Sequence, residues 1–232
     1  MKVSEFITNF LVERGITKCF SVTGGFAMHL NDSFGQQLDV VYTHGEQPAG
    51  YAALGYSSYE HNPSVCCVTS GCGATNAITP CLIAYQDSVP VFFISGQVQK
   101  DDTIRSTGSK HRGYFGSDCN IIECVQGITK LAVELTDPRE TYQVLQNCYE
   151  KLTTGRLGPV WLSVPVDVQA MQIQIPDVVP MHLESKNITN DVLPQEFLNL
   201  WSKSERPIIL AGNGIHLSKT REKFKDFVQR YN

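Results

Sequence analysis

The order of segments in this sequence predicts an α/β protein, a parallel sheet with helices on both faces, followed by the start of a second α/β domain. Three observations carry that expectation. Short, almost wholly apolar runs at 65–69 and 89–95 read as strands covered on both sides. Helical segments separate the strands, the spacing of strand–helix–strand units. Glycine-bearing turns follow two of the strands, at Gly24-Gly25 and at 71–76, where open parallel sheets take their ligands.

Val3, Phe6, Ile7, Phe10 and Leu11 fall on one face of a first helix, and Gly15 ends it. Residues 18–23 read as a strand, 27–33 as a short helix and 39–43 as the second strand. A helix rich in small residues starts after Glu46 and stops before the Asn62-Pro63 turn. The strand at 65–69 runs into a turn at 70–76. The next helix reaches about residue 85, with Pro80 tolerable only in its first turns. Beyond the strand at 89–95, residues 97–118 form a polar loop carrying Lys100, Arg105, Lys110, His111 and Arg112, and a loop of that length usually has a function. A short helix at 120–126 and a strand at 130–134 come next. Asp137-Pro138 supplies a cap and a first-turn proline for a helix to about residue 153, and a strand at 159–164 follows.

Residues 1–172 are therefore expected to form one domain and 173–190 a linker. In 191–232 the pattern gives a helix (191–202), a strand (207–211), a Gly212-Asn213-Gly214 turn and a last helix (220–231). That strand has no partner in its own segment, and units below about 40 residues rarely fold alone. The segment is thus expected to begin a central domain, with the chain as the front part of something longer.

With 232 residues, 42% hydrophobic and 18% charged, the chain can bury a sizeable core. A net charge of −4 with no basic run points away from nucleic acid. No signal peptide is evident and no apolar run approaches the roughly 20 residues of a membrane span, so no membrane partner and a cytoplasmic location are expected. The eight cysteines include no Cys-x-x-Cys pair and lie mostly in apolar runs. They are expected to be buried reduced thiols, without a metal site. Asn187-Ile188-Thr189 matches a glycosylation acceptor by chance.

Glu46 stands at a helix start, at the positive end of the dipole, and capping alone would explain a carboxylate there. It also stands 21 residues after Gly25, the distance at which a dinucleotide fold places its ribose-binding acid. The glycines do not agree. Thr23-Gly24-Gly25-Phe26-Ala27-Met28 lacks the Gly-x-Gly-x-x-Gly spacing, and Gly71-x-Gly73-x-x-Asn76 has two glycines of three with no acid at the right distance. Dinucleotide binding remains the lesser alternative.

Several stretches, in one order from Lys2 to Gln169, resemble the N-terminal, pyrimidine-binding domain of thiamine-diphosphate enzymes of the acetolactate synthase-like group. His44-Gly45-Glu46-Gln47, with Ala52-Ala53-Leu54-Gly55-Tyr56 after it, resembles the family's His-Glu-Gln and small-residue helix, with Gly45 as an extra residue. Thr69-Ser70-Gly71-Cys72-Gly73-Ala74-Thr75-Asn76 resembles Thr-Ser-Gly-Pro-Gly-Ala-Thr-Asn, with Cys72 in place of proline. Tyr85-Gln86-Asp87-Ser88-Val89-Pro90 through Ser95-Gly96-Gln97-Val98 resembles the section that follows. Gly155 to Trp161 and Pro165 to Gln169 resemble the close of the domain, and Arg206 to Gly214 the first strand of the family's central domain.

The resemblance implies a carboligase or decarboxylase acting on a 2-keto acid. It implies that Glu46 hydrogen-bonds the cofactor's aminopyrimidine ring, favouring the imino tautomer that takes the proton from the thiazolium C2. Gly24, Gly25 and Gly71 would shape the pocket, with Asn76 and Gln97 as polar contacts. It also implies thiamine diphosphate with Mg²⁺, held in the family by a Gly-Asp-Gly…Asn motif that does not occur here. The diphosphate end is accordingly expected outside this chain, and these residues do not support FAD. The family's active site lies between subunits, so a homodimer, a tetramer or a partner chain carrying the diphosphate-binding domain is expected. Ser109-Lys110-His111-Arg112 replaces the family's Phe-Gln-Glu segment and leaves the donor and acceptor open; His111 and Arg112 are candidates for a substrate carboxylate, a solvated basic loop being the simpler account. The competing class is a non-catalytic or regulatory domain, against which the retained Glu46 speaks.

Overall fold

The computed structural model describes residues 1–113, 116–174 and 194–230. Contacts divide the chain into two units, Met1–Val178 and Val179–Asn232.

The first unit opens with α1 (Val3–Glu13). The Glu5 carboxylate accepts the Lys2 N–H at 2.8 Å at its start, and Gly15 at φ +72 turns the chain out of it. Then follow β1 (Lys18–Ser21), α2 (Met28–Gln37), β2 (Asp39–Tyr42), α3 (Glu46–Glu60), β3 (Ser64–Val68), α4 (Cys72–Asn76), α5 (Ile78–Gln86) and β4 (Val91–Gln97). The 97–118 stretch carries α6 (Ile104–Thr107) and leads to α7 (Ile121–Val125), β5 (Leu131–Glu134), α8 (Thr141–Thr153), β6 (Val160–Pro165) and α9 (Val166–Ala170).

The six strands form one parallel sheet in the order β2-β1-β3-β4-β6-β5. Two cores flank it. Val3, Leu11, Leu30, Phe34, Leu145 and Val168 place α1, α2, α8 and α9 on one face. Ala49, Ala53, Ala74, Cys81, Ile121 and Val125 place α3, α4, α5 and α7 on the other. The chain therefore leaves β1 toward the first face and β3 toward the second, which makes the carboxyl ends of these neighbouring strands a switch point.

The expectations for residues 70–76 and for the cysteines need correction, and α9 is an added element. Residues 70–76 are not a plain turn: Gly71, at φ +59 and ψ −125, swings the chain directly into the one-turn helix α4. The break at Ala77 then restarts the chain as α5, so that Pro80 is its third residue, where no intrahelical N–H is required. The α9 turn after Pro165 had no sequence signal. Of the eight thiols, Cys19, Cys66, Cys67, Cys81 and Cys148 are buried, but Cys72 and Cys124 are exposed and Cys119 is half-buried. All are free.

The second unit holds α10 (Gln195–Lys203), α11 (Gly214–Leu217) and α12 (Arg221–Arg230). Trp201 lies 6.1 Å from Phe197 and 5.8 Å from Phe227, ring centre to ring centre. The strand expected at 207–211 does not form. Ile208 is 94% and Leu210 98% exposed, and an apolar run without a neighbouring strand has nothing to pair with. All but residues 173 and 174 of the linker expectation, and the Asn187 acceptor, lie outside the described residues.

Candidate active site

Glu46 is the first residue of α3 and is half-buried. The turn before it is fixed by Thr43, whose N–H donates to the Ser21 carbonyl at 3.0 Å and whose hydroxyl donates to the Gly45 carbonyl at 2.8 Å. Asn76 ends α4, and its Nδ2 donates to Glu46 Oε2 at 3.1 Å. The turn of helix that the sequence did not reveal is what carries Asn76 round to the carboxylate.

Thr69 lies beneath the pair, and glycines give it room. A methyl group on Gly24 would stand 2.4 Å from Thr69 Cβ, and one on Gly73 would stand 2.6 Å from Thr69 Cγ2 and 3.4 Å from Glu46 Oε1. Such separations exclude any side chain at either glycine without displacement. Thr69 Oγ1 and Ser70 Oγ are buried without a hydrogen-bond partner. A buried hydroxyl left unpaired costs about 1–3 kcal/mol, so two adjoining ones mark a place that fits a polar ligand edge. Neither was named as a site residue from the sequence, although both open the 69–76 stretch that carries the resemblance.

The other expected residues are more scattered in role. Gly71 lets the chain pass Ser117, whose carbonyl oxygen would be 2.6 Å from a methyl there. Gly25 has open space around its Cα, and only Gly24 needs to be bare. Gln97 is buried at the end of β4; its Nε2 donates to the Cys119 carbonyl at 2.8 Å, and its Oε1 accepts the Val98 N–H at 3.0 Å. It therefore anchors the end of the 97–118 loop. Asp118 Oδ2 accepts the Ile104 N–H at 2.8 Å and closes the same loop. Burial raises the Asp118 carboxyl, opposed by the N–H groups of Ile104 and Cys119. Lys110, His111 and Arg112 are exposed on that loop.

Burial pushes the Cys66 thiol, on β3, well above its ordinary value; the neighbouring Cys67 and Cys81 thiols and the Glu46 charge add to this. Among the described residues, no group of three or more His, Cys, Asp or Glu side chains could hold a metal ion. No helix among them is long and apolar enough to cross a membrane.

A sheet with its switch point lined by a helix-start carboxylate, a bracing amide and bare glycines defines a ligand-binding α/β domain, and comparison with known proteins gives its family. Residues 1–123 match the family described as thiamine pyrophosphate enzyme, N-terminal TPP binding domain. The chain belongs to that family. It is 31% identical to the acetolactate synthase large subunit of Lactococcus lactis over 98% of this chain and 39% of that one. Against acetolactate synthase 2, chloroplastic, of Nicotiana tabacum the identity is 30%, over 98% of this chain and 34% of the relative. The probable acetolactate synthase large subunit of Methanocaldococcus jannaschii is 31% identical over 96% and 37%. The chain thus spans 34–39% of the length of these relatives.

Proposed function

We propose that this chain is the pyrimidine-binding part of a thiamine-diphosphate-dependent carboligase or decarboxylase acting on a 2-keto acid, and that Glu46 activates the cofactor. The observation that carries the proposal is the Glu46–Asn76 pair, 3.1 Å from Nδ2 to Oε2, set over a glycine floor with two unpartnered hydroxyls. When bound, thiamine diphosphate supplies a carbon nucleophile for the keto group.

This chain's own contribution is to hold a proton and orient the ring. Asn76 occupies Oε2 and sets the carboxylate's rotamer, so Oε1, facing Gly73, is the oxygen that exchanges a proton with a ring nitrogen. The Thr69 and Ser70 hydroxyls would hold the polar edge of that ring, with Gly24 and Gly73 leaving the room in which Thr69 sits. The lack of a Gly-Asp-Gly motif supports holding the diphosphate and Mg²⁺ on another segment or chain, and hence a homodimer or larger assembly. The free thiols support a reducing, cytoplasmic setting.

Glu46→Gln in the complete protein tests the role. Exchange of the cofactor's C2 proton should slow by about 10²–10⁴-fold, the usual worth of a general acid–base group. Exchange at the parent rate would remove Glu46 from the chemistry.

A further inference from the structure

Helix α7 starts with two thiols in positions that usually hold two apolar side chains. Asn120 is its cap, with Oδ1 accepting the Glu123 N–H at 3.4 Å. In such a start the residue before the cap packs against the fourth helical residue. Here those residues are Cys119 and Cys124. The cap geometry sets Cys119 and Cys124 on the same side of the first turn, and the Cys124 thiol acts electrostatically on Cys119, as neighbouring groups do. Cys124 is exposed and Cys119 half-buried, so a small reagent can reach the pair. The surroundings are anchored: Gln97 Nε2 holds the Cys119 carbonyl at 2.8 Å, and Asp118 closes the loop that ends there. The exposed Cys72 lies opposite, beside the point where Gly71 meets Ser117.

We propose that Cys119 and Cys124 form a reversible disulfide, a thiol–disulfide site at the root of the 97–118 loop. A small disulfide such as oxidised glutathione is the oxidant. The Cys124 thiolate attacks one of its sulfurs, forming a mixed disulfide and releasing one glutathione thiolate. The Cys119 thiolate then attacks Cys124 Sγ, the protein disulfide forms, and the second glutathione leaves. Two protein thiols are oxidised, one glutathione disulfide is reduced, and the two protons pass to the departing thiolates. Burial first, then the Cys124 thiol and the charges of Asp118 and Cys72, push Cys119 up to about 11, which makes its attack the slow step. The bond would tie the loop's end covalently to α7, beside the Gly71 turn. This site stands independently of the role given to Glu46.

The test is oxidation of the chain in glutathione buffers of graded ratio, followed by alkylation and tryptic digestion. Cleavage after Arg112 and Lys130 leaves both thiols in one peptide, 113–130. In oxidising buffer that peptide should escape alkylation and weigh less than the reduced form by its two thiol hydrogens, and reduction should reverse both changes. The rate should rise about tenfold per pH unit from 7 to 9, as the Cys119 thiolate fraction grows. Cys124→Ser should abolish the link and leave Cys119 open to alkylation. Alkylation or separate glutathione adducts at both residues at every ratio would overturn the proposal, as would a Cys72–Cys119 link.

Discussion

The two faces of the sheet are packed with different materials. Under α1, α2, α8 and α9 the core is made of large side chains such as Phe6, Ile7, Phe10, Leu11, Phe34, Leu145 and Leu152. Under α3, α4, α5 and α7 small residues such as Ala49, Ala53, Ala74, Ala77, Ala84, Cys66 and Cys81 alternate with branched ones, around Phe93 and Trp161, whose rings stack at 5.2 Å. Large residues fill a core by reach, while small ones let backbones come together. On the small-residue face α3 touches α5 so closely that a methyl on Gly50 would stand 2.3 Å from Pro80 Cγ. Close helices are what allow Glu46 and Asn76, from separate elements, to meet at hydrogen-bond distance. The large-residue face makes one comparable approach, Gly96 against the Phe26 carbonyl.

The two faces should differ most in their response at Trp161. It is fully buried, and its Nε1 donates to Ser95 Oγ at 3.0 Å. Because it heads the largest fully buried side chains, Trp161→Ala should cost about 3–5 kcal/mol in urea denaturation. Leu145→Ala, on the opposite face, should cost about 2–5 kcal/mol, with nothing at the Glu46 corner disturbed. A loss below about 2 kcal/mol at Trp161 would show that the small-residue face does not depend on its ring stack.

Which parts of this arrangement the sequence disclosed follows from how local each cause is. The strands of the sheet and the long helices α1, α3 and α8 are written in apolar runs, periodicity and punctuation such as Gly15 and Asp137-Pro138. Glu46 stood out because it sits between a strand end and a small-residue helix. The helix α4, Cys-Gly-Ala-Thr-Asn, is one turn long and too short for a period; Gly71 and the contact with Thr69 impose it. The same holds for the orphaned hydroxyls, since burial of Thr69 Oγ1 arises from Gly24 and Gly73, distant from each other in sequence. Residues 207–211 show the converse, an apolar run that reads as a strand where no partner strand lies among the described residues of its unit. Cys119 and Cys124 match no cysteine motif, and become a pair only once Asn120 is known to be a cap.

A smaller and sharper test is Gly50→Val. The added carbons meet the Pro80 ring, a stiff neighbour, so the helices must separate; overpacking of this kind costs about 1–3 kcal/mol. Ile7→Val, the matched change on the other face, removes one buried carbon and should cost about 0.5–1.5 kcal/mol. Only the Gly50 variant should also weaken cofactor binding in the complete protein, because it moves α3 against α4 and α5. Equal binding in the two variants would detach the site from the close helix packing.

The mildest test lies at the carboxyl edge of the small-residue face, where Glu134 ends β5 on the side of Trp161 and Ser163. Ser163 Oγ donates to its Oε2 at 3.4 Å. Burial raises the Glu134 carboxyl; the Arg105 charge and the bonds from Ser163 and Gln97 oppose this, and the Asp118 charge adds to it. A folded-state value above the unfolded one means that the native chain holds the proton more tightly. That stabilisation is complete below the ordinary glutamate range, near pH 4.3, and is lost as pH rises through the raised value. Glu134→Gln keeps the shape of the neutral acid and cannot ionise. Thermal denaturation should therefore find variant and parent alike in acid, and the variant more stable toward pH 7. A variant less stable at pH 7 would mean that Arg105 compensates the charge fully, and that this edge, unlike the packed interior of the same face, accepts an ion without cost.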